Sequence, residues 1–171
     1  MHHEILLSLL GHCGEIVISS NSSFKINPEL SFIPSTEHVL LNQLVILGSQ
    51  YLSLTASTSN HNHNRISFYN HALSLGIKNY LKEYRNAILD IESKIIAEKA
   101  IMSYVAIKIH MAEYLQTFPY LMTLMEKIQE KNKVHVIQYL YTCEQNTGFP
   151  YLKKCIQLLR QPCQQYVLCI E

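Results

Sequence analysis

From Arg65 onward, apolar residues recur at steps of three and four for some thirty positions: Ile66, Tyr69, Leu73, Ile77, Tyr80, Leu81, Tyr84, Ile88, Ile91 and Ile95. That period puts all of them on one stripe of an α-helix and excludes a strand, whose side chains alternate every two residues. Lys78, Lys82, Arg85 and Asp90 fall between the stripe positions, and Asp90 stands one helical turn before Lys94, the favourable order for an acid and a base on a solvent face. The spacing predicts one long helix from about Arg65 to Ile96. A stripe of that length has to be covered, and other helices are the natural cover.

The rest of the chain supplies them. Pro34-Ser35-Thr36-Glu37 reads as a helix start, with Ser35 able to cap free N–H groups and Glu37 suited to the positive end of the helix dipole. Val39, Leu40, Leu44, Leu47 and Tyr51 follow at helical spacing, and the helix is expected to end near Leu54. Gly48 inside it signals close packing or local weakness. Residues 57–64, a run of Ser, Thr, Asn and His without apolar period, read as a mobile polar loop. The amino terminus reads as a short helix, His2 to Leu10, stopped by Gly11 and Gly14, then an extended run Glu15–Ile18, with residues 19–33 as linker. Val105, Ile109, Ala112, Leu115 and Phe118 form a further stripe, and Pro119 begins or bends the segment carrying Leu121, Leu124, Met125 and Ile128. Val134 to Tyr141 gives one more helix. Gly148-Phe149-Pro150 breaks it from the last, striped by Leu152, Cys155, Ile156, Leu159, Cys163 and Val167 and expected to kink at Pro162.

Composition narrows the function. Of 171 residues 48% are hydrophobic and only 16% charged, below the roughly 25% usual for soluble domains, which points to apolar surface kept for a partner. The net charge of +1 cannot supply the basic field that nucleic acid or an anionic membrane needs. The apolar start Ile5–Leu10 is too short to span a bilayer and has no Lys or Arg before it, so a cytosolic chain is expected. The five cysteines, Cys13, Cys143, Cys155, Cys163 and Cys169, are odd in number without a Cys-x-x-Cys pair, and are expected as reduced thiols. No glycine pattern suits a phosphate loop. His61 and His63 in the polar loop lack further ligands at zinc spacing, and Cys143 with His135 is two turns apart on one helix, too far for a dyad. Tyr69, Tyr80 and Tyr84 are expected in the core with their hydroxyls reaching outward. No metal, cofactor or catalytic set is expected.

The residues also carry a family resemblance. Met1-His2-His3-Glu4-Ile5-Leu6-Leu7-Ser8-Leu9-Leu10-Gly11 resembles the amino terminus of gamma-tubulin complex components, most closely the small fourth class among them. Pro34-Ser35-Thr36-Glu37, Leu41-Asn42-Gln43-Leu44, Leu47-Gly48-Ser49-Gln50-Tyr51, Tyr84-Arg85-Asn86-Ala87-Ile88-Leu89-Asp90-Ile91-Glu92, Phe118-Pro119 and Gly148-Phe149-Pro150 are similar to that family's motifs in the same order. The resemblance implies that residues 1–171 form a single amino-terminal domain, with the carboxy-terminal gamma-tubulin-binding domain absent from this sequence. It implies an all-α, elongated helical bundle that packs beside neighbouring components in the template for microtubule nucleation, at the cytoskeleton and the microtubule organizing centre (centrosome or spindle pole). Gamma-tubulin would then be reached only indirectly.

The reading that joins both lines is a non-enzymatic scaffold. A helical adaptor for another cytosolic protein is the alternative, and a Cys- or metal-dependent hydrolase a distant third. Contact residues are expected on the first helix, at His3, Glu4, Leu7 and Leu10, and around the helix break at Phe118 and Tyr120. Leu7 and Phe118 are equally candidates for the core.

Overall fold

A computed structural model describes residues 1–21, 23–60, 68–98, 102–130 and 136–168. Among these the chain is all-α apart from one short hairpin: α1 His2–Leu9, β1 Val17–Ser20, β2 Ser23–Ile26, α2 Ser35–Asn60, α3 Phe68–Glu98, α4 Tyr104–His110, α5 Ala112–Glu130, α6 Val136–Asn146 and α7 Pro150–Leu168. It divides into two compact units, Met1–Ser53 with Glu83–Phe118 and Leu54–Lys82 with Pro119–Glu171. The division cuts α2, α3 and α5, and in α5 it falls at Pro119.

From Leu73 to Ile91 the long stripe is where the periodicity puts it; Arg65 and Ile66 of the expected helix lie outside the described residues. On α3, Leu73, Ile77, Tyr80, Leu81, Tyr84, Ile88 and Ile91 are each no more than 5% exposed, while Lys78, Lys82, Arg85 and Asp90 face solvent.

In the first unit the core gathers around Tyr84, whose ring lies 4.8 Å from Phe118, 4.9 Å from Tyr114 and 5.5 Å from Tyr51. Its hydroxyl does not reach outward as expected. It donates inward to the Leu9 carbonyl at 2.9 Å, a buried acceptor at the end of α1 that would otherwise lack a partner. Gly11 ends α1 with φ +94°, a conformation that suits glycine because it has no Cβ to clash. Gly48 marks the close approach its position suggested: a Cβ there would collide with the Ser8 carbonyl oxygen and stand 2.9 Å from the Phe24 ring. Only glycine lets α2 lie this near the end of α1 and the hairpin.

Residues 19–33 are not a linker. Strands β1 and β2 pair antiparallel in the register Val17↔Ile26 to Ser20↔Ser23, turning at Asn21 in the left-handed region, φ 51°, which asparagine tolerates better than other side chains. Phe24, Ile26 and Ile33 are buried, and the Ile26 N–H donates to Asn42 Oδ1 at 2.8 Å.

Helix α2 runs past Leu54 to Asn60, so Ser57–Asn60 are helical, and residues 61–64 of the expected loop lie outside the described residues. The hydroxyls of Thr58 and Ser59 donate back to the Thr55 carbonyl at 2.8 and 3.0 Å, which lets polar side chains ride inside a helix by using its own carbonyls. On α2, Leu44 and Leu47 are buried where their spacing puts them, but Val39 is 62% exposed, Leu40 and Tyr51 are half-buried, and Leu41, Val45 and Leu54 complete the buried side.

Of the stripe expected through Val105, Ile109, Ala112, Leu115 and Phe118, Phe118 is buried as expected and the rest is displaced. Val105 and Ile109 are 55% and 69% exposed, whereas Tyr104, Ile107, Met111, Tyr114 and Phe118 are buried. These five stand at steps of three and four, so a single buried phase runs from α4 through the break at Met111 (φ −91°, ψ 1°) into α5.

In the second unit α5 buries Leu121, Leu124, Met125 and Ile128, and α7 buries Leu152, Cys155, Ile156, Leu159 and Cys163, as their spacing predicts. The backbone of α3 at Gly76 lies against Leu159, whose Cα would be 3.0 Å from an added Cβ. Between α6 and α7 the buried Glu144 accepts from Gln157 Nε2 at 2.8 Å, and Arg160 Nη1 stands 2.7 Å from Glu144 Oε2. That approach lies off the hydrogen-bonding direction, leaving Oε2 and Arg160 Nε without directional partners. The attraction is therefore ionic. The Arg160 guanidinium also stands 5.6 Å from the Tyr141 ring centre.

Candidate functional site

The expected contact residues separate by role. On α1, His3 Nδ1 lies 3.0 Å from Glu92 Oε1 of α3 with both side chains at the surface. Glu4 Oε1 accepts the Ile16 N–H at 2.5 Å, so this carboxylate holds the chain entering β1. Leu7 is 36% exposed, so it is not a core residue, and Leu10 is half-buried at the end of α1. Phe118 has no exposure at all. Its place among Tyr84 and Tyr114 makes it core, and it is withdrawn as a contact residue. Tyr120 belongs to the second unit, where it is half-buried. Burial, then a hydrogen bond with Cys143, raises its phenol pKa far above the ordinary value, so it stays neutral.

Sequence reasoning missed a different surface of the first unit. Helices α2 and α4 meet there where Lys108 Nζ donates to Gln43 Oε1 at 2.5 Å. Val39 lies one turn before Gln43 on α2, and Val105 one turn before Ile109 on α4. These three apolar side chains are the most exposed on the two helices. The available signal was the apolar residue at nearly every position of Tyr104–Ile109, which cannot all face one side of a helix.

Between the starts of α2 and α4 opens a cleft of about 420 Å³, lined by Met1, His2, Glu37, Leu40, Ser103, Tyr104 and Val105. Ser103 caps α4, its Oγ accepting the Ala106 N–H at 3.2 Å. His2 stacks on Tyr104 with ring centres 4.7 Å apart and hydrogen-bonds the Met102 carbonyl through Nε2 at 2.9 Å.

Among the described residues no group of three or more His, Cys, Asp or Glu is placed to hold a metal ion. His61, His63, His135 and Cys169 lie outside them. Cys13, Cys143, Cys155 and Cys163 form no disulfide with one another. Helix α2, over Ser35–Ser59, has the length and mean hydropathy, 1.3, of a membrane span. Its Leu41, Leu44, Val45 and Leu47 are fully buried in the first unit, while Val39, Ile46 and Leu52 are exposed.

Comparison with known proteins adds to this geometry. The family model described as gamma tubulin complex component N-terminal matches residues 3–170. The chain is 28% identical over 190 residues to a gamma-tubulin complex component 4 homolog of Medicago truncatula, covering 93% of this chain and 25% of that protein. It is 25% identical over 181 residues to gamma-tubulin complex component 4 of Mus musculus, covering 95% and 27%. To the Arabidopsis thaliana component 4 it is 28% identical over 206 residues, covering 93% and 27%. The chain thus spans about a quarter of the length of the curated relatives it matches.

Proposed function

This chain belongs to the gamma-tubulin complex component family, and on that footing we propose that it serves as a non-enzymatic scaffold of the gamma-tubulin complex. Residues 1–171 act as a single amino-terminal domain that associates laterally with the same domain of a neighbouring component, contributing to the template on which microtubules nucleate. Gamma-tubulin is reached indirectly, and the site of action is the cytoskeleton at the microtubule organizing centre, centrosome or spindle pole. The observation that carries this reading is the family match across residues 3–170. Exposed Leu7, Val39, Val105 and Ile109 support it, because apolar side chains grouped on helix flanks are what a protein interface covers. His3 and Tyr120 stay as further contact candidates on their own units.

Co-expression with the amino-terminal half of a neighbouring component is expected to give a complex that survives size-exclusion chromatography. Gamma-tubulin alone is expected not to bind residues 1–171. Recovery of no complex component at any salt concentration rejects the scaffold reading and leaves an adaptor for another protein; a stable one-to-one complex with gamma-tubulin rejects the indirect link.

A further inference from the structure

The net charge of +1 hides a division between the two units. The first, Met1–Ser53 with Glu83–Phe118, carries nine acidic side chains against five basic, and the second, Leu54–Lys82 with Pro119–Glu171, carries nine basic against four acidic. The charges of the two chain termini reduce each excess by one and leave both signs unchanged. Across molecules, each unit therefore repels its own kind and attracts the other.

The basic excess meets exposed aromatic surface at the turn between α6 and α7. Phe149 is 60% exposed and Tyr151 45%, and the Phe149 carbonyl accepts the Lys153 N–H at 3.0 Å, which fixes this group on the first turn of α7. From Val136 to Leu168 the only charged residues are Glu144, Lys153, Lys154 and Arg160. Glu144 and Arg160 stand 2.7 Å apart and cancel, so Lys153 and Lys154, both exposed, are the excess charge of this helix pair. No acidic residue stands in the first turn of α7, so the lysines add to the positive end of the helix dipole instead of offsetting it, a cost that an acid approaching from outside relieves.

The first unit offers that acid at the foot of its β-hairpin. Glu15 and Glu29 are exposed and held together by Asn27, whose Nδ2 donates to the Glu15 carbonyl at 3.3 Å and whose Oδ1 accepts the Glu29 N–H at 3.1 Å. The Glu4 carboxylate lies beside them on the Ile16 N–H. Against these three acids the segment Gly11–Ile33 has one base, Lys25, and neither Glu15 nor Glu29 has an ion pair among the described residues. Phe32, three residues after Glu29, is 63% exposed and adds apolar surface. We propose that the chain binds a second copy of itself, the aromatic and basic turn between α6 and α7 of one copy docking on the acidic foot of the β-hairpin of the other. A second copy satisfies both halves of the charge division, whereas nucleic acid or an anionic bilayer carries one sign only and repels the first unit. The contact joins two different surfaces and is heterologous. It stands apart from the scaffold reading above, which concerns other components.

Sedimentation velocity of the chain alone decides it. Self-association is expected at about 20 mM salt, with at least a tenfold loss of affinity by about 300 mM, where the screening length is about 6 Å. Phe149→Ser with Tyr151→Ser is expected to weaken it at least tenfold at low salt while the melting temperature stays, since both side chains are exposed. Lys153→Glu with Lys154→Glu, and separately Glu15→Lys with Glu29→Lys, are each expected to be monomeric. Mixed in equal amounts, these two charge-reversed variants are expected to associate again, because the reversed turn of one meets the reversed hairpin of the other. A wild-type chain that stays monomeric at both salts, association undiminished in either charge-reversed variant, or a mixture that stays apart although both variants melt like wild type overturns the contact. A monomeric chain that pellets with phosphatidylserine vesicles assigns the turn to a lipid surface and overturns it as well. The co-expression experiment with a neighbouring component tests the scaffold reading separately, whichever way these results fall.

Discussion

Single atoms set two of the outcomes that can be checked. At Gly48, helix propensity alone favours alanine by about 1 kcal/mol, but the added Cβ would strike the Ser8 carbonyl, a backbone atom that cannot swing aside. Overpacking of this kind costs about 1–3 kcal/mol and more when backbone must move, so the collision outweighs the propensity. Gly48→Ala is expected to lower stability by about 1–2 kcal/mol in urea unfolding; a gain would show that the approach is looser than described. At Cys163, burial pushes the thiol from 9.0 up to about 11. The folded chain then keeps a proton that the unfolded chain releases, and stability falls with rising pH wherever the folded state binds more protons. The contribution is intact below about pH 9 and is lost progressively between pH 9 and about 11. Tyr84, whose pKa is raised by burial first and then by Tyr51 and Tyr114, adds a further loss above about pH 10. Melting temperatures measured from pH 8 to 11 should decline in that order. Cys163→Ala should lower the whole curve yet flatten its first segment, and an unchanged slope would separate the thiol from the effect.

Among the elements, α3 gives the sharpest test because adjacent residues differ so widely in burial. Ile88 is 1% exposed and Leu89 53%. Aspartate at position 88 buries an unpaired charge, which costs about 4 kcal/mol, whereas Leu89→Asp should stay within about 0.5 kcal/mol of wild type. Equal melting of the two variants would mean the stripe faces elsewhere. This helix was legible in the sequence because apolar and charged residues take separate sides of it. Helices α2 and α4 were legible as helices but only partly in their facing: Val39 to Leu47 and Tyr104 to Ile109 offer apolar residues in more than one phase, and tertiary packing chose between them. The hairpin was read as linker because strands of four residues are too short to show alternation, and Ser57–Asn60 as loop because serine, threonine and asparagine usually compete with helix rather than bond along it. The candidate site was barely legible. Glu37 and Tyr104 lie far apart in the chain, and nothing local announces that a helix start and a buried phenol will share a cleft. Glu4 and Phe118 were singled out as contacts, yet they hold the hairpin and the core.

For the whole molecule, the path of the chain matters more than any side chain. It leaves the first unit at Ser53, returns at Glu83 and leaves again at Phe118. A protein ended at Phe118 would keep every residue of the first unit but strand Leu54–Lys82, with Leu73, Ile77 and Tyr80 buried in the full chain and no longer covered by Pro119–Glu171. With a net charge of only −1 over residues 1–118 to keep molecules apart, that truncated form should precipitate or bind a hydrophobic dye strongly where the full chain does not; a soluble, cooperatively melting 1–118 fragment would show that the first unit is self-sufficient. The same threading has a consequence for descent. Units strung one after another can be duplicated, lost or fused elsewhere by a single break in a gene, but here no one breakpoint yields either unit whole and free of the other. Recombination is offered all of it or none, so the two units should be found travelling through genomes as a single heritable block.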